Sequence, residues 1–482
     1  MFYCVLCGVF FTMSKILLIK PRFIEMEFQV ITQPLGLMYI GATLKKGGHE
    51  TRIHDCALDY GDLHTLRCII KDWKPDFIGI SIIITELEQT KIIMGIIREI
   101  LPDVQVTFGG PWPSANPEES IKKIGADFVV IGEGELIFPE LIDNINKGLS
   151  AESIPGTASM VNGHVKINKG RYLTEEELNS LPFPAWELLD NKLYANIPSF
   201  ATVGCRPYMS IVTSRGCPYL CAYCHHTMGK VFRKRSAESV IAEIEEICFK
   251  YRFKEYEIVD DCFNLDRERM SAILVGIRDR LDDVKLHFPN GLRSDMIEPE
   301  DMLLFKQAGT VSVVFAIETS SPRLQKMIRK NLNIEKATRA INASVQAGIY
   351  SSGYFMLGFP TETYEEASET VDFAADSVLH RAFFFNPIPF AGTELAKMAV
   401  DFLKNKNYIF NPRGINYYNS MLNISAMSDR ELKKIFRQAY RRFYLNFKRL
   451  LKLIIHHPNA FSLPHYAFLA MIKLLPRRRS PF

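Results

Sequence analysis

No run beyond the first dozen residues approaches the roughly 18 consecutive apolar residues that a membrane-spanning helix takes, so the chain is expected to be soluble or at most peripheral. Charge of one sign is also scarce: 58 Lys and Arg stand against 54 Asp and Glu, a net +4 over 482 residues. A nucleic-acid partner is not expected, because such a partner needs basic residues concentrated on one face, and only the C-terminus has them. The ten cysteines have no regular spacing and follow no convincing signal peptide, which argues against a disulfide framework and for a reducing, cytoplasmic compartment. Repeats and low-complexity tracts are absent.

Hydrophobic residues at 47% and charged residues at 23% are ordinary for a folded protein, and the length calls for two domains with extensions. The opening MFYCVLCGVFFT is apolar but short, without a basic flank or cleavage site. MSKILLIKP from Met13 reads as the true start, with a short hydrophobic anchor as the alternative.

From residue 13 to 146 five short apolar runs alternate with helical patterns: KILLIKP, TRIHDC, FIGISII, QVTFGG and FVVIGEG, each followed by a helix. Strands that are apolar nearly throughout argue for a parallel sheet covered on both faces, a doubly wound, Rossmann-like α/β domain. Residues 147–207 break into turn-rich sequence, with Asn162-Gly163 among the reversals and a capping box at Thr174 and Glu177, and are expected to link the domains. A second series over 208–395 (YMSIVTSRG, EYEIVDD, KLHFPNGLRSD, TVSVVFAIET, SSGYFMLGFP, AFFFNPIPF) supplies six strands without a nucleotide glycine fingerprint. That pattern predicts a (βα)6 partial TIM barrel with its site at the C-terminal strand ends. Residues 396–482 are expected to form a helical, basic C-terminal extension.

Cys217, Cys221 and Cys224 place three soft ligands within eight residues, just after the first barrel strand. Thiolates suit zinc, copper or iron-sulfur clusters. A closed zinc site requires a fourth ligand, for which only the adjacent His225 or His226 is near, in a strained position. Incidental buried cysteines have no reason to cluster in a turn. On a 4Fe-4S cluster, three thiolates leave one iron open to chelate a small molecule, and polar groups at neighbouring strand ends are then required. Asp260 and Asp261, Arg293 and Asp295, Glu318 and Ser320, and Gly358 and Glu362 occupy such ends.

CPYLCAYC resembles the CxxxCxxC motif of the radical S-adenosylmethionine superfamily, and VDDCF, LRSD, FAIETSSPRLQKMIRK and GYFMLGFPTET resemble later segments of its branch with an N-terminal cobalamin-type domain. The resemblance implies reductive cleavage of S-adenosylmethionine to a 5'-deoxyadenosyl radical that attacks an unactivated carbon. It implies an electron donor such as flavodoxin or ferredoxin. It also maps Tyr223 against the adenine and Glu318 toward the ribose or methionyl part. Asp260 and Asp261 stand where a glycine-rich motif usually meets the amino group, a departure from the family pattern.

In the front domain Pro34 to Leu37, Ser81 to Thr85, Gly109 and Gly110, and Gly132 to Glu135 with Glu133 fall at the strand-end edge where open α/β sheets bind ligands. Glycines there permit close backbone approach, and the hydroxyls of Ser81 and Thr85 can meet a polar heterocycle. The arrangement is similar to cobalamin-binding domains, although the DxHxxG histidine is missing from KPRFIEMEFQV. Cobalt is therefore expected without a histidine ligand, and a domain that kept the fold and lost the cofactor is the alternative.

The function expected is cobalamin-dependent C-methylation, or a related oxidoreductase or cyclisation chemistry, on a small, lipid-like or secondary-metabolite substrate. The alternatives are a methylthiotransferase-like enzyme, disfavoured because the front domain has no second cysteine triplet, and a cluster-based redox or cobalamin sensor. The apolar and basic tail from Phe443 to Ile455, followed by Arg477, Arg478 and Arg479, either packs on the barrel or lies peripherally on the inner membrane.

Overall fold

The computed structural model describes residues 2–3, 10–11, 13–23, 31–59, 62–196, 201, 203, 207–225, 227–390, 392–403 and 422–459. Most of the opening dozen, residues 24–30 of KPRFIEMEFQV, His226 and Arg477 to Arg479 lie outside them. Five strands pair in parallel in the order β2-β1-β3-β4-β5: β1 (Lys15–Lys20), β2 (Glu50–Asp55), β3 (Phe77–Ser81), β4 (Gln105–Gly109) and β5 (Phe128–Val130). Helices α1 (Leu35–Lys46), α2 (His64–Trp73), α3 (Leu87–Ile100) and α4 (Ile137–Asn146) lie between and after them. Alternation along β1 shows why these runs are apolar throughout. Ile16 and Leu18 enter the core on one face, Leu17 and Ile19 that on the other.

The turn-rich segment does more than connect. β6 (Thr157–Val161) and β7 (His164–Ile167) form a hairpin that extends the front sheet to seven strands, with β6 antiparallel to β5. Its turn is Asn162-Gly163, both with positive φ (49° and 79°), as a tight two-residue hairpin requires. Further along, Trp186 and Tyr194 are fully buried, and the Tyr194 hydroxyl donates to Asp55 Oδ2 at 2.8 Å.

The second domain is a six-stranded parallel sheet in chain order: β8 (Met209–Ile211), β11 (Glu255–Ile258), β12 (Lys285–Leu292), β13 (Thr310–Glu318), β14 (Tyr350–Met356) and β15 (Arg381–Phe385). β8 and β15 do not pair, so the barrel is open. Its helices α5 (Ala237–Glu246), α6 (Arg267–Arg280), α8 (Ile334–Gln346) and α9 (Tyr364–Asp376) start on Ser236, Asp266, Asn333 and Thr363, whose side chains each accept a backbone N–H from the first turn. A cap of this kind is worth about 1 kcal/mol. Between α6 and α8, α7 (Pro299–Gln307) leads through Gly309, where an added Cβ would stand 2.0 Å from the Val284 carbonyl oxygen, into β13.

The two domains share one apolar cluster, running from Ile16, Leu18 and Phe138 through Trp186 to Met209 and Ile211. Polar contacts reinforce it: Gln33 donates to the Tyr208 carbonyl at 3.1 Å and accepts from Ser210 Oγ at 3.0 Å. At the C-terminus α10 (Asp429–Tyr444), capped by Ser428 with Glu431, buries Leu432, Ile435, Ala439 and Phe443. α11 (Phe447–Ile455) is attached differently. Its buried residue is Arg449, which donates to the carbonyls of Ala375, Ser377 and Leu379, while Phe447, Leu450, Leu451, Ile454 and Ile455 are exposed. No described helix is long and apolar enough to cross a membrane.

Candidate active site

A short antiparallel pair, β9 (Ser214–Arg215) with β10 (Arg233–Lys234), closes the loop that carries the three cysteines. The loop is stiffened from within. Gly216 has φ +80°, and a Cβ on it would lie 2.3 Å from the Val231 carbonyl oxygen, so the two sides touch through backbone. The Cys217 amide donates to the Gly229 carbonyl at 3.3 Å, and the Cys224 amide to that of Cys221 at 3.1 Å. Ala222 ties the middle of the motif to the barrel: its amide donates to Ile328 and its carbonyl accepts from Leu395, both at 2.8 Å.

Cys217 and Cys221 are half-buried and Cys224 is exposed. A fourth thiol, the buried Cys262 after β11, hydrogen-bonds Cys217 and, with help from Arg293, lowers its pKa to about 7. Burial raises Cys221, against the pull of Lys330 and Arg293. Among the described residues, no three or more His, Cys, Asp or Glu side chains are arranged to hold a single metal ion. His225 packs its ring on Phe390 with centroids 4.5 Å apart.

The strand ends divide into residues that face the cysteines and residues already engaged. Tyr223 donates to Glu318 Oε1 at 3.1 Å, and the buried Lys330 reaches both Glu318 Oε1, at 2.9 Å, and the Tyr223 hydroxyl, at 3.2 Å. Glu318 takes φ +68°, an uncommon conformation for a residue with a side chain. Arg293 stacks over Tyr219 at 3.7 Å, pairs with Asp295 at 3.0 Å and donates to the Lys330 carbonyl at 3.0 Å, which joins it to the same group.

Asp260 is engaged elsewhere. Its carboxylate accepts from the Thr213 amide at 2.6 Å and from the hydroxyls of Thr213 and Ser214 at 2.5 Å each, fastening β11 to the start of the cysteine loop. Asp261 is exposed and accepts from the Gly216 amide. Gly358 has φ +107°, and a Cβ there would meet Asn386 Nδ2 at 2.6 Å and a Leu432 methyl at 3.2 Å, so it lies under α10.

On the front domain, Ser81 ends β3 and Thr85 sits in the single helical turn Ile84–Glu86, both half-buried. Gly109 and Gly132 leave open space where a Cβ would be. Gly110 instead presses on its own fold, since a Cβ there would stand 3.0 Å from the Ile82 backbone and from Ser81 Oγ. Glu133 turns away from the open edge. It accepts from Arg215 at 2.9 Å, from Arg233 at 2.6 Å and from the Leu173 amide at 2.7 Å. Lys330, Arg215, Arg233 and Cys262 carried no signal in sequence beyond their nearness to the motifs, because a buried cation looks like a surface one, and a thiol beside the site like any buried cysteine, until its partners are placed.

The chain matches the B12 binding domain family over residues 22–142 and the radical SAM superfamily over residues 211–374. It is 30% identical over 449 residues, 92% of this chain and 95% of the relative, to an uncharacterized methyltransferase of Pyrococcus horikoshii. It is 26% identical over 474 residues, 87% of each, to cytidylyl-2-hydroxyethylphosphonate methyltransferase of Streptomyces wedmorensis. In fold it is similar to the cobalamin-dependent S-adenosylmethionine radical enzyme OxsB, solved with aqua-cobalamin (TM-score 0.70, 17% identity, 96% of this chain and 76% of that one). It is also similar in fold to the radical S-adenosylmethionine methyltransferase TsrM of Kitasatospora setae, solved with cobalamin and a 4Fe-4S cluster (TM-score 0.65, 19% identity, 81% and 76%).

A B12-binding domain followed by a radical S-adenosylmethionine barrel defines the class. The chain belongs to the radical S-adenosylmethionine superfamily, in its branch with an N-terminal cobalamin-binding domain, and is an enzyme whose cofactors are a 4Fe-4S cluster, S-adenosylmethionine and cobalamin. The residues present fit these groups. Three thiols on one loop, flanked by Lys330 and Arg293, suit a multi-iron cluster with one thiolate per iron, and the open backbone at Gly109 and Gly132 leaves room for a large planar ligand.

Glu362 lies beside Gly358 and accepts from its amide. It is fully buried, its Oε2 accepts from the Gly358 and Phe359 amides, its Oε1 has no partner, and burial pushes its carboxyl up to about 7. The folded state therefore holds this proton more tightly than the unfolded chain does. The resulting stabilisation is complete below the ordinary value of 4.5 and is lost as pH rises through about 7. Thermal melts of wild type and Glu362→Gln between about pH 4 and pH 8 should diverge, the wild type losing on the order of 3 kcal/mol relative to the variant; parallel curves would contradict this assignment.

Proposed function

We propose that this enzyme methylates an unactivated carbon of a small-molecule substrate. The observation that carries the reading is the meeting, across one domain interface, of a three-cysteine loop and a front-domain edge with open glycine backbone. Similarity over nearly the whole chain to a protein named a methyltransferase supports it. When bound, the 4Fe-4S cluster would supply the electron for reductive cleavage of S-adenosylmethionine to methionine and a 5'-deoxyadenosyl radical, and cobalamin would carry the methyl group.

Cys217, Cys221 and Cys224 hold the cluster. Tyr223 and Phe359, with ring centroids 6.0 Å apart, form an apolar wall beside it, and Glu318 with Lys330 offers a charged hydrogen-bonding pair toward the nucleoside. Arg293 and the exposed carboxylate of Asp261 flank the loop, placed to meet the charged methionyl end. Gly109 and Gly132 let a corrin approach the backbone, with Ser81 and Thr85 as hydroxyl partners. Asp260, Gly110, Glu133 and Gly358 act within the protein through the contacts described above. Domain limits of 13–146 and 208–395 serve this division, with residues 157–167 completing the front sheet.

The tail supports peripheral contact with an anionic membrane. Phe447, Ile454 and Ile455 are 80%, 58% and 65% exposed, Lys448 and Lys452 lie on the same helix, and Arg449 fastens that helix to the barrel. A short helix of this composition lies in the interface plane, where apolar burial and basic charge act together.

Two measurements test these readings. Under reducing anaerobic conditions the reconstituted wild type should release 5'-deoxyadenosine from S-adenosylmethionine, and replacing all three cysteines by Ala should abolish both the cluster absorbance and the nucleoside. A wild type that binds the cluster but releases none would instead be a sensor. Separately, the protein should sediment with phosphatidylglycerol vesicles and not with phosphatidylcholine vesicles, and Phe447→Ser with Ile454→Ser should return it to the supernatant. Recovery of the wild type in the supernatant contradicts membrane contact.

A further inference from the structure

The two arginines that close the cysteine loop face each other. Arg215 on β9 is the register partner of Arg233 on β10, and both reach out of the barrel to one front-domain residue. Glu133 binds Arg215 through Oε1 at 2.9 Å and Arg233 through Oε2 at 2.6 Å, and Glu135 takes the second Arg215 nitrogen at 2.7 Å. The four side chains are at most 6% exposed. Their charges cancel pairwise. The Tyr39 ring lies 5.2 Å from the Arg215 guanidinium, and Leu173 donates its amide to Glu133 while accepting from Arg233.

Buried ion pairs of this kind add little net stability, because desolvation offsets attraction, but breaking one leaves an uncompensated buried charge, so Arg215 and Arg233 are held where Glu133 and Glu135 can pair with them. The turn that supplies the carboxylates also borders the open edge of the front sheet. Gly132 is exposed with open space at its missing side chain, Glu133 is buried against the loop, and Gly134 is packed so that a Cβ would lie 3.1 Å from Ile40. One tight turn thus has its backbone toward the cobalamin edge and its carboxylates on both ends of the cysteine loop.

We infer that Glu133 is a positioning residue: through Arg215 and Arg233 it sets the separation and orientation of the cluster loop relative to the cobalamin domain. The inference rests on the assignment of the cluster to the three cysteines and of the corrin to the Gly109 and Gly132 edge. Both groups are paramagnetic in suitable oxidation states, the reduced cluster and cob(II)alamin, so their separation is open to direct measurement without any substrate.

The test is pulsed dipolar electron paramagnetic resonance on full-length wild type, Glu133→Gln and Glu133→Ala, each reconstituted with iron, sulfide and cobalamin and then reduced. Because only doubly loaded molecules contribute, partial loss of either cofactor does not obscure the result. One narrow distance distribution is expected for wild type, a shifted and broadened one for Glu133→Ala, and an intermediate one for Glu133→Gln, which keeps the shape and loses the charge. Distributions identical to wild type in both variants, with or without lower cofactor content, would overturn the inference and leave Glu133 a stabilising residue only. A wild type without corrin signal would instead count against the cobalamin assignment, and a broad wild-type distribution against a fixed separation.

Discussion

Three thiols on one loop, without a fourth on that loop, are the constraint from which the surrounding structure follows. Thiols that bind iron must lose their protons, and three negative charges within eight residues repel one another at the mouth of a half-buried site. The chain answers with cations and rigidity. Lys330 and Arg293 draw charge from the cysteine side, Gly216 lets the two sides of the loop touch through backbone, and Ala222 fastens the motif to the barrel at both its amide and its carbonyl. A loop free to rearrange would let the sulfurs relax apart.

The same logic explains the density of polar contacts between the domains. An apolar interface alone would hold them together without fixing their angle, since hydrophobic contact is non-directional. Gln33 with Tyr208 and Ser210, Tyr39 with Arg235, and above all Glu133 with Arg215 and Arg233 supply direction at three separate points. A radical generated on one domain and a methyl carrier on the other can serve one substrate only if their relative placement is reproducible.

Much of this was legible from residue order. β-runs apolar nearly throughout announced the front sheet, repeated strand-helix units announced the second, and strand-end polar residues were read as marking the mouth of the barrel. The Asn162-Gly163 hairpin carried its own signal, yet its flanking strands were short enough to read as connection, and only the free edge of β5 made them part of a sheet. Site roles were less legible because a carboxylate's partners are set by tertiary packing. Asp260 and Glu133 sit at the expected strand ends, but Thr213 and Ser214 engage the first and two arginines from another domain engage the second. Lys330 lies at the end of a recognised segment, and nothing local in MIRK distinguishes a buried lysine from a solvated one. The tail shows the converse. Phe443 packs as its pattern suggests, but in α11 the apolar residues are exposed and Arg449 is the residue the structure buries.

The central claim is that the three cysteines hold a cluster with one iron left open for S-adenosylmethionine. The most direct measurement is the electron paramagnetic resonance spectrum of the reduced, reconstituted protein before and after adding S-adenosylmethionine. The account predicts a 4Fe-4S signal that changes shape when the compound is added. A signal that ignores S-adenosylmethionine, or a purified protein with zinc at the three thiols, would contradict it.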